Sequence, residues 1–105
     1  MARHTLVVFT NAAEGKDEEF NRWYNDVHLG DVLGIEGFVE AQRFELKDMD
    51  GSAPSHRYLA LYQIETDDID AVIGRLTSSA GTMVISDAMQ DPKALVATPI
   101  TDVRT

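Results

Sequence analysis

The chain has 105 residues and no cysteine, and its 18 Asp and Glu against 9 Lys and Arg give a formal charge of -9. That length fits one domain with one core, and a domain this small exposes enough surface for a core shared with a second copy to be plausible. The acidity argues against nucleic acid and anionic membrane surfaces as partners, because both require clustered cations. Without cysteine there is no disulfide framework, thiol nucleophile or thiolate metal site.

Taken in order, Arg3 to Thr10 reads as a strand, with Leu6 and Val8 on one face and Val7 and Phe9 on the other. Both faces are apolar, which predicts a central strand. The run Leu6 to Phe9 is too short for a signal h-region or a membrane span, so the expected location is the cytoplasm. After a connector containing Gly15, a helix is predicted from Lys16 or Asp17 to Gly34. Asp17, Glu18 and Glu19 suit its positive N-terminal end. At about 100° per residue, Phe20, Trp23, Tyr24, Val27 and Asp31 share its inner face, and His28 falls at the margin.

Ile35-Glu36-Gly37 reads as a turn. The next strand, Phe38 to Lys47, sets Phe38, Glu40, Gln42 and Phe44 against Val39, Ala41, Arg43 and Glu45. Its mixed polarity suits an edge. Asp48 to Ser55 is a hairpin loop, and His56 to Glu65 a third strand with Tyr58, Ala60, Tyr62 and Ile64 on one face. Thr66 or Asp67 caps a second helix, striped by Ile69, Val72, Ile73 and Leu76 and ending near Ser79. Thr82 to Met89 reads either as a short third helix or as an irregular segment packed by its methionines. A last strand is expected from Ala94 to Asp102, where Pro99 requires an edge or a bulge.

The order β-α-β-β-α-β predicts an α+β, ferredoxin-like domain. Its antiparallel sheet would run 4-1-3-2, with both helices on one face. The other face then carries large apolar side chains with nothing to cover them, which marks an interface. The simplest cover is a second copy, its sheet facing the first. Each such side chain contributes roughly 1.5–3 kcal/mol on burial, before ordering costs.

The run Phe20-Asn21-Arg22-Trp23-Tyr24-Asn25-Asp26-Val27-His28, with Asp31-Val32-Leu33 and then Ile35-Glu36-Gly37-Phe38, resembles the dimeric α+β-barrel superfamily. Within it, the look is that of EthD-like proteins, named for ethyl tert-butyl ether degradation. Their pattern is F/W-Y-x-x-x-H on a helix and a P-G-F-like turn into the second strand. Gly30 and Glu36 stand here where such proteins often have proline. The resemblance implies two facing sheets closing a barrel, with a small-molecule cavity between each sheet and its helices or inside the barrel. Relatives include polyketide cyclases, decarboxylases, muconolactone isomerases, cofactor-free monooxygenases and haem-degrading enzymes, so the fold alone does not select a reaction.

His28 is the first candidate for catalysis, since an imidazole beside an apolar pocket exchanges protons near neutral pH. Asp31, three residues on, is placed to orient it or raise its pKa. The competing role for His28 is a structural one, capping the helix or bonding a carbonyl. Trp23, Tyr24, Tyr58 and Tyr62 are core residues by default and candidate walls or donors of a substrate site. Arg43 either holds a substrate carboxylate or pairs on the surface with Glu45 or Glu65. His4, His28 and His56 lie on different elements without ligand spacing, so no metal is expected. No phosphate loop or serine nucleophile motif calls for a cofactor or covalent route. Two readings stay open: a cofactor-free acid/base enzyme on a small cyclic or aromatic carbonyl compound, or a non-catalytic ligand-binding or accessory dimer.

Overall fold

The computed structural model describes residues 1–105. β1 (Arg3–Ala12) leads into a continuous helical rod of three segments: α1 (Asp17–Trp23), a π-helical turn (Tyr24–His28) and α2 (Leu29–Leu33). β2 (Phe38–Glu45), β3 (Tyr58–Glu65), α3 (Ile69–Ala80) and β4 (Met89–Ala97) follow. The strands form one antiparallel sheet in the order β2-β3-β1-β4, the expected ferredoxin-like arrangement with β1 and β3 central. Thr82 to Ala88 is irregular rather than helical, and Asp68 caps α3 by accepting a hydrogen bond from the Ala71 amide. No helix is long and apolar enough to cross a membrane.

The core lies between the helices and one sheet face. Alternation on β3 is strict: Tyr58, Ala60, Tyr62 and Ile64 are buried, and Leu59, Leu61 and Gln63 are half-buried. Phe20, Tyr24 and Val32 come down from the helical rod, and Val72 from α3. On the opposite face, Val7 and Leu61 pair across β1 and β3, and Phe9 pairs with Leu59. Phe44 and Leu95 extend that apolar face to both edges and are 38% and 49% exposed. The helices lie on the other face, and His56, its ring 5.6 Å from that of Phe9, borders this one.

Three expectations need correction, each at a single-residue irregularity. The first concerns the inner face of the helix. Val27 is 41% exposed, whereas Val32 is 2% exposed. In an unbroken α-helix the twelve steps from Phe20 to Val32 would leave them roughly 120° apart. The π turn absorbs one residue and brings them within roughly 20°. Asn25, Asp26 and Val27 are consequently exposed in succession, and His28 turns inward.

The second correction is in β2. Phe38 pairs with Ile64 but Glu40 pairs with Gln63, so Val39 is an extra residue in a bulge. The bulge reverses the alternation beyond it. Ala41 and Arg43 therefore share the helix face with Phe38, and Gln42 and Phe44 face the open side. The third is β4, which begins at Met89 and holds Pro92 inside it, leaving Pro99 beyond its end. An edge or a bulge was expected for Pro99; β4 has both, and the proline inside it is Pro92. The register against β1 shifts between Phe9 and Asn11, and Asp91 adopts a positive φ of 53°.

Candidate functional site

The π turn and the β2 bulge act on the same place. One rotates His28 inward and the other delivers Arg43 beneath the helix. Tyr24, 1% exposed, stands between them. The Arg43 guanidinium carbon lies 4.3 Å from the centre of the Tyr24 ring, a cation–π distance. The His28 ring meets Tyr24 edge-on at 4.9 Å and stacks on Trp23 at 4.8 Å and 21°. Trp23 is held from outside by its indole N–H, which donates to the Val84 carbonyl at 3.0 Å.

Electrostatics define what this cluster can do. Burial lowers the His28 pKa; Asp31 opposes that shift and Arg43 adds to it. The imidazole therefore favours its neutral form more strongly than a free histidine does. Its Nδ1 is buried without a hydrogen-bond partner, and so is the Arg43 Nε. Buried polar atoms are nearly always paired, so two orphans beside one tyrosine set this cluster apart from the rest of the core. Burial also raises the pKa of Tyr24 and Tyr62. Both phenols keep their protons, and the Tyr62 hydroxyl donates to the Tyr24 oxygen at 3.0 Å. The proton of Tyr24 is thereby left to donate elsewhere.

The remaining candidates separate. Tyr58 donates to Asp17 at 2.6 Å, tying β3 to the start of α1, so its hydroxyl is already committed. Asp31 is exposed and makes no hydrogen bond with the buried Nδ1 of His28; it lines an outer depression of about 560 Å³ with Val27, Gly30 and Val84. Its part in the His28 environment is through-space charge alone. Arg43 does not pair with Glu45 or Glu65 on the surface. Glu65 is near Arg3 at 3.7 Å and Glu45 near Arg57 at 3.8 Å. Arg43 donates instead to the Asn21 and Asn25 side-chain oxygens, each at 2.9 Å.

Asn21 and Asn25 are the residues sequence reasoning passed over. The available signal was their four-residue spacing on the flank facing β2, but only the bulge reveals that a cation sits opposite. His4 bonds the Thr98 hydroxyl at 3.0 Å and stays apart from the site. No group of three His, Asp or Glu residues is placed to hold a metal ion.

The four-stranded antiparallel sheet roofed by helices on one face is a ferredoxin-like fold, and solved structures of dimeric α+β-barrel proteins share it. SnoaB of Streptomyces nogalater, a cofactor-independent oxygenase, superposes with a TM-score of 0.66 over 100% of both chains at 16% identity. The haem-degrading MhuD of Mycobacterium tuberculosis gives 0.67 over 96% of this chain and 99% of its own, at 14% identity. An EthD-family protein of Bacillus halodurans gives 0.55 over 95% and 100%, at 10% identity. The chain shares the fold of these structures. No protein-family model and no curated protein sequence matches it.

Proposed function

We propose that the protein is a homodimeric barrel that binds a small molecule beneath its helices and performs cofactor-free acid/base chemistry there, with His28 as the base. The observation that carries this reading is the neutral His28 ring with its buried, unpartnered Nδ1, set against Tyr24 and within the field of Arg43. In such a site His28 takes a proton from a carbon or hydroxyl next to a carbonyl. Arg43 and the Tyr24 hydroxyl stabilise the oxygen on which negative charge develops. Cyclisation, isomerisation or decarboxylation of a small cyclic or aromatic carbonyl compound fits these parts. The likeness to an oxygenase and a haem degrader supports a small-molecule site in this fold.

The His28 state is readable without a substrate. Trp23 is the chain's sole tryptophan, and a protonated imidazole stacked on an indole quenches its fluorescence. Titration of that fluorescence is expected to show a midpoint below the ordinary histidine value of about 6.5. His28→Gln should abolish it. The linkage has a definite sign. Because burial favours the neutral ring, the stability it confers is complete above about 6.5 and falls as pH drops through the lower, folded-state value. A midpoint at or above 6.5 would contradict the poised-base reading.

The stack on Trp23 favours a second reading, in which His28 is a wall of a non-catalytic ligand site. Melting temperature separates the two: His28→Ala should leave it unchanged or raised for a poised base, and lower it for a packed wall.

The open sheet face supports the dimer. Leu61 sits near its middle, opposite Val7 and Gln42. In a two-fold assembly each substitution is introduced twice in one interface. Leu61→Glu is expected to convert a species of twice the chain mass into a monomer in light-scattering chromatography. A wild-type protein that already runs as a monomer at micromolar concentration would refute the assembly.

A further inference from the structure

Arg43 differs from Arg3, Arg22 and Arg57 in its pairing and from the exposed Arg75 in being half-buried. Arg3, Arg22 and Arg57 each have a carboxylate within 3.1 Å, and Arg75 reaches the Glu36 carbonyl. The half-buried Arg43 has no carboxylate at ion-pair distance, although the chain carries 18 acidic residues. It is fixed by two neutral amides, Asn21 and Asn25. Neutral acceptors hold the guanidinium in place and leave its charge uncancelled, whereas an aspartate at either position would neutralise it. A partly desolvated cation is normally paired. Here two of its five N–H donors are used, and the Nε is buried without a partner.

The cation is also reachable. A depression of about 290 Å³ opens at the β2 edge, lined by Asn21, Asn25, Arg43, Phe44, Glu45 and Tyr58. Glu45 would repel an anion, but it is turned toward Arg57, which also holds Asp17 at 3.1 Å. Aromatic rings back the guanidinium, with Phe20 at 5.4 Å and Tyr58 at 5.6 Å.

We infer that Asn21, Asn25 and Arg43 form a carboxylate subsite and that the ligand of this protein is a small organic monocarboxylate with a flat apolar body. The inference rests on the reading of the Tyr24–His28 cluster as a ligand site and names the class of molecule it takes. Asn21 and Asn25 are its specificity-determining residues: they orient the cation without discharging it. Arg43 binds the carboxylate through charge-assisted hydrogen bonds, and the flat body lies against Phe44 and Tyr58, which line the same depression.

The test uses sodium benzoate and its neutral analogue benzamide as probes of the intact protein. Side-chain amide signals of Asn21 and Asn25 and the Nε–H signal of Arg43 are followed by NMR. Benzoate should shift all three with saturation, and benzamide should not. Asn21→Asp places a competing carboxylate at the same spot, and should weaken benzoate by about tenfold or more. Asn25→Asp serves as the second variant if the first fails to fold. Equal binding of the two probes, binding of neither, or undiminished benzoate affinity in the folded aspartate variants overturns the inference. The Trp23 titration described above is independent of these results, so the carboxylate subsite and the basic histidine can fail separately.

Discussion

Gly37→Ala is expected to destabilise the protein by about 2–5 kcal/mol, a large share of the roughly 5–15 kcal/mol typical of a domain. Two separate costs meet at this residue. Its φ is +107°, a region that only glycine occupies comfortably, and forcing a side chain there costs about 1–2 kcal/mol. A Cβ would also stand 2.8 Å from Val72 Cγ2 and 3.3 Å from Cγ1. Val72 is 0% exposed, so neither methyl has space to yield, and overpacking of this kind adds about 1–3 kcal/mol. The turn is also structural in another sense: the Gly37 carbonyl accepts the Glu65 amide at 2.9 Å, joining the start of β2 to the end of β3. Urea denaturation measures the loss. Val72→Ala in the same chain should relieve the steric part but not the backbone part, making the double variant less unstable than the sum of the singles. An unchanged midpoint for Gly37→Ala would show that the turn is not held as described.

The elements that could be read in advance are those that obey a period. Strict alternation on β3 and the apolar stripe of α3 are repeated signals, and the order of elements predicted the strand order, with which the mixed polarity of β2 agrees. Single-residue insertions have no such signature. The Val39 bulge leaves every neighbour's propensity untouched, yet it moves Arg43 from the surface to the helix face. The π turn likewise exchanges Val27 for Val32 in the core. These two irregularities are also what assemble the site. His28, Trp23, Tyr24 and Arg43 were legible as residue types suited to a pocket. Their mutual placement, and with it the part played by Asn21 and Asn25, depends on backbone features that break the periodic rules. Asp31 shows the opposite case: three-residue spacing from His28 suggested a partner, and the change of helical phase left it outside.

Removing one residue from the π turn therefore gives a second large effect, this one on function. Deletion of Asp26, exposed on the outer side, should allow the rod to continue as a regular α-helix from Phe20 to Val32. The flanking core residues keep their phase, because the π turn is what an inserted residue produces in an otherwise regular helix. The fold is thus expected to survive, with far-UV circular dichroism and cooperative melting retained. What changes is the spacing inside the turn. Tyr24 and His28 then stand three residues apart, roughly 300° round a regular helix, so the imidazole leaves the edge of the Tyr24 ring that it meets at 4.9 Å, while Trp23, now four residues before it, remains its neighbour. The pH-dependent quenching of Trp23 should persist with a shifted midpoint, and turnover or ligand binding that relies on His28 facing Tyr24 should fall to background. A substitution at the same position, Asp26→Ala, keeps the residue count and should leave both intact. If the deletion variant folds and still shows the wild-type fluorescence titration, the π turn is incidental to the placement of His28. If it does not fold at all while Asp26→Ala does, the extra residue is needed by the core itself, and the separation between scaffold and site argued from the helix phase is wrong.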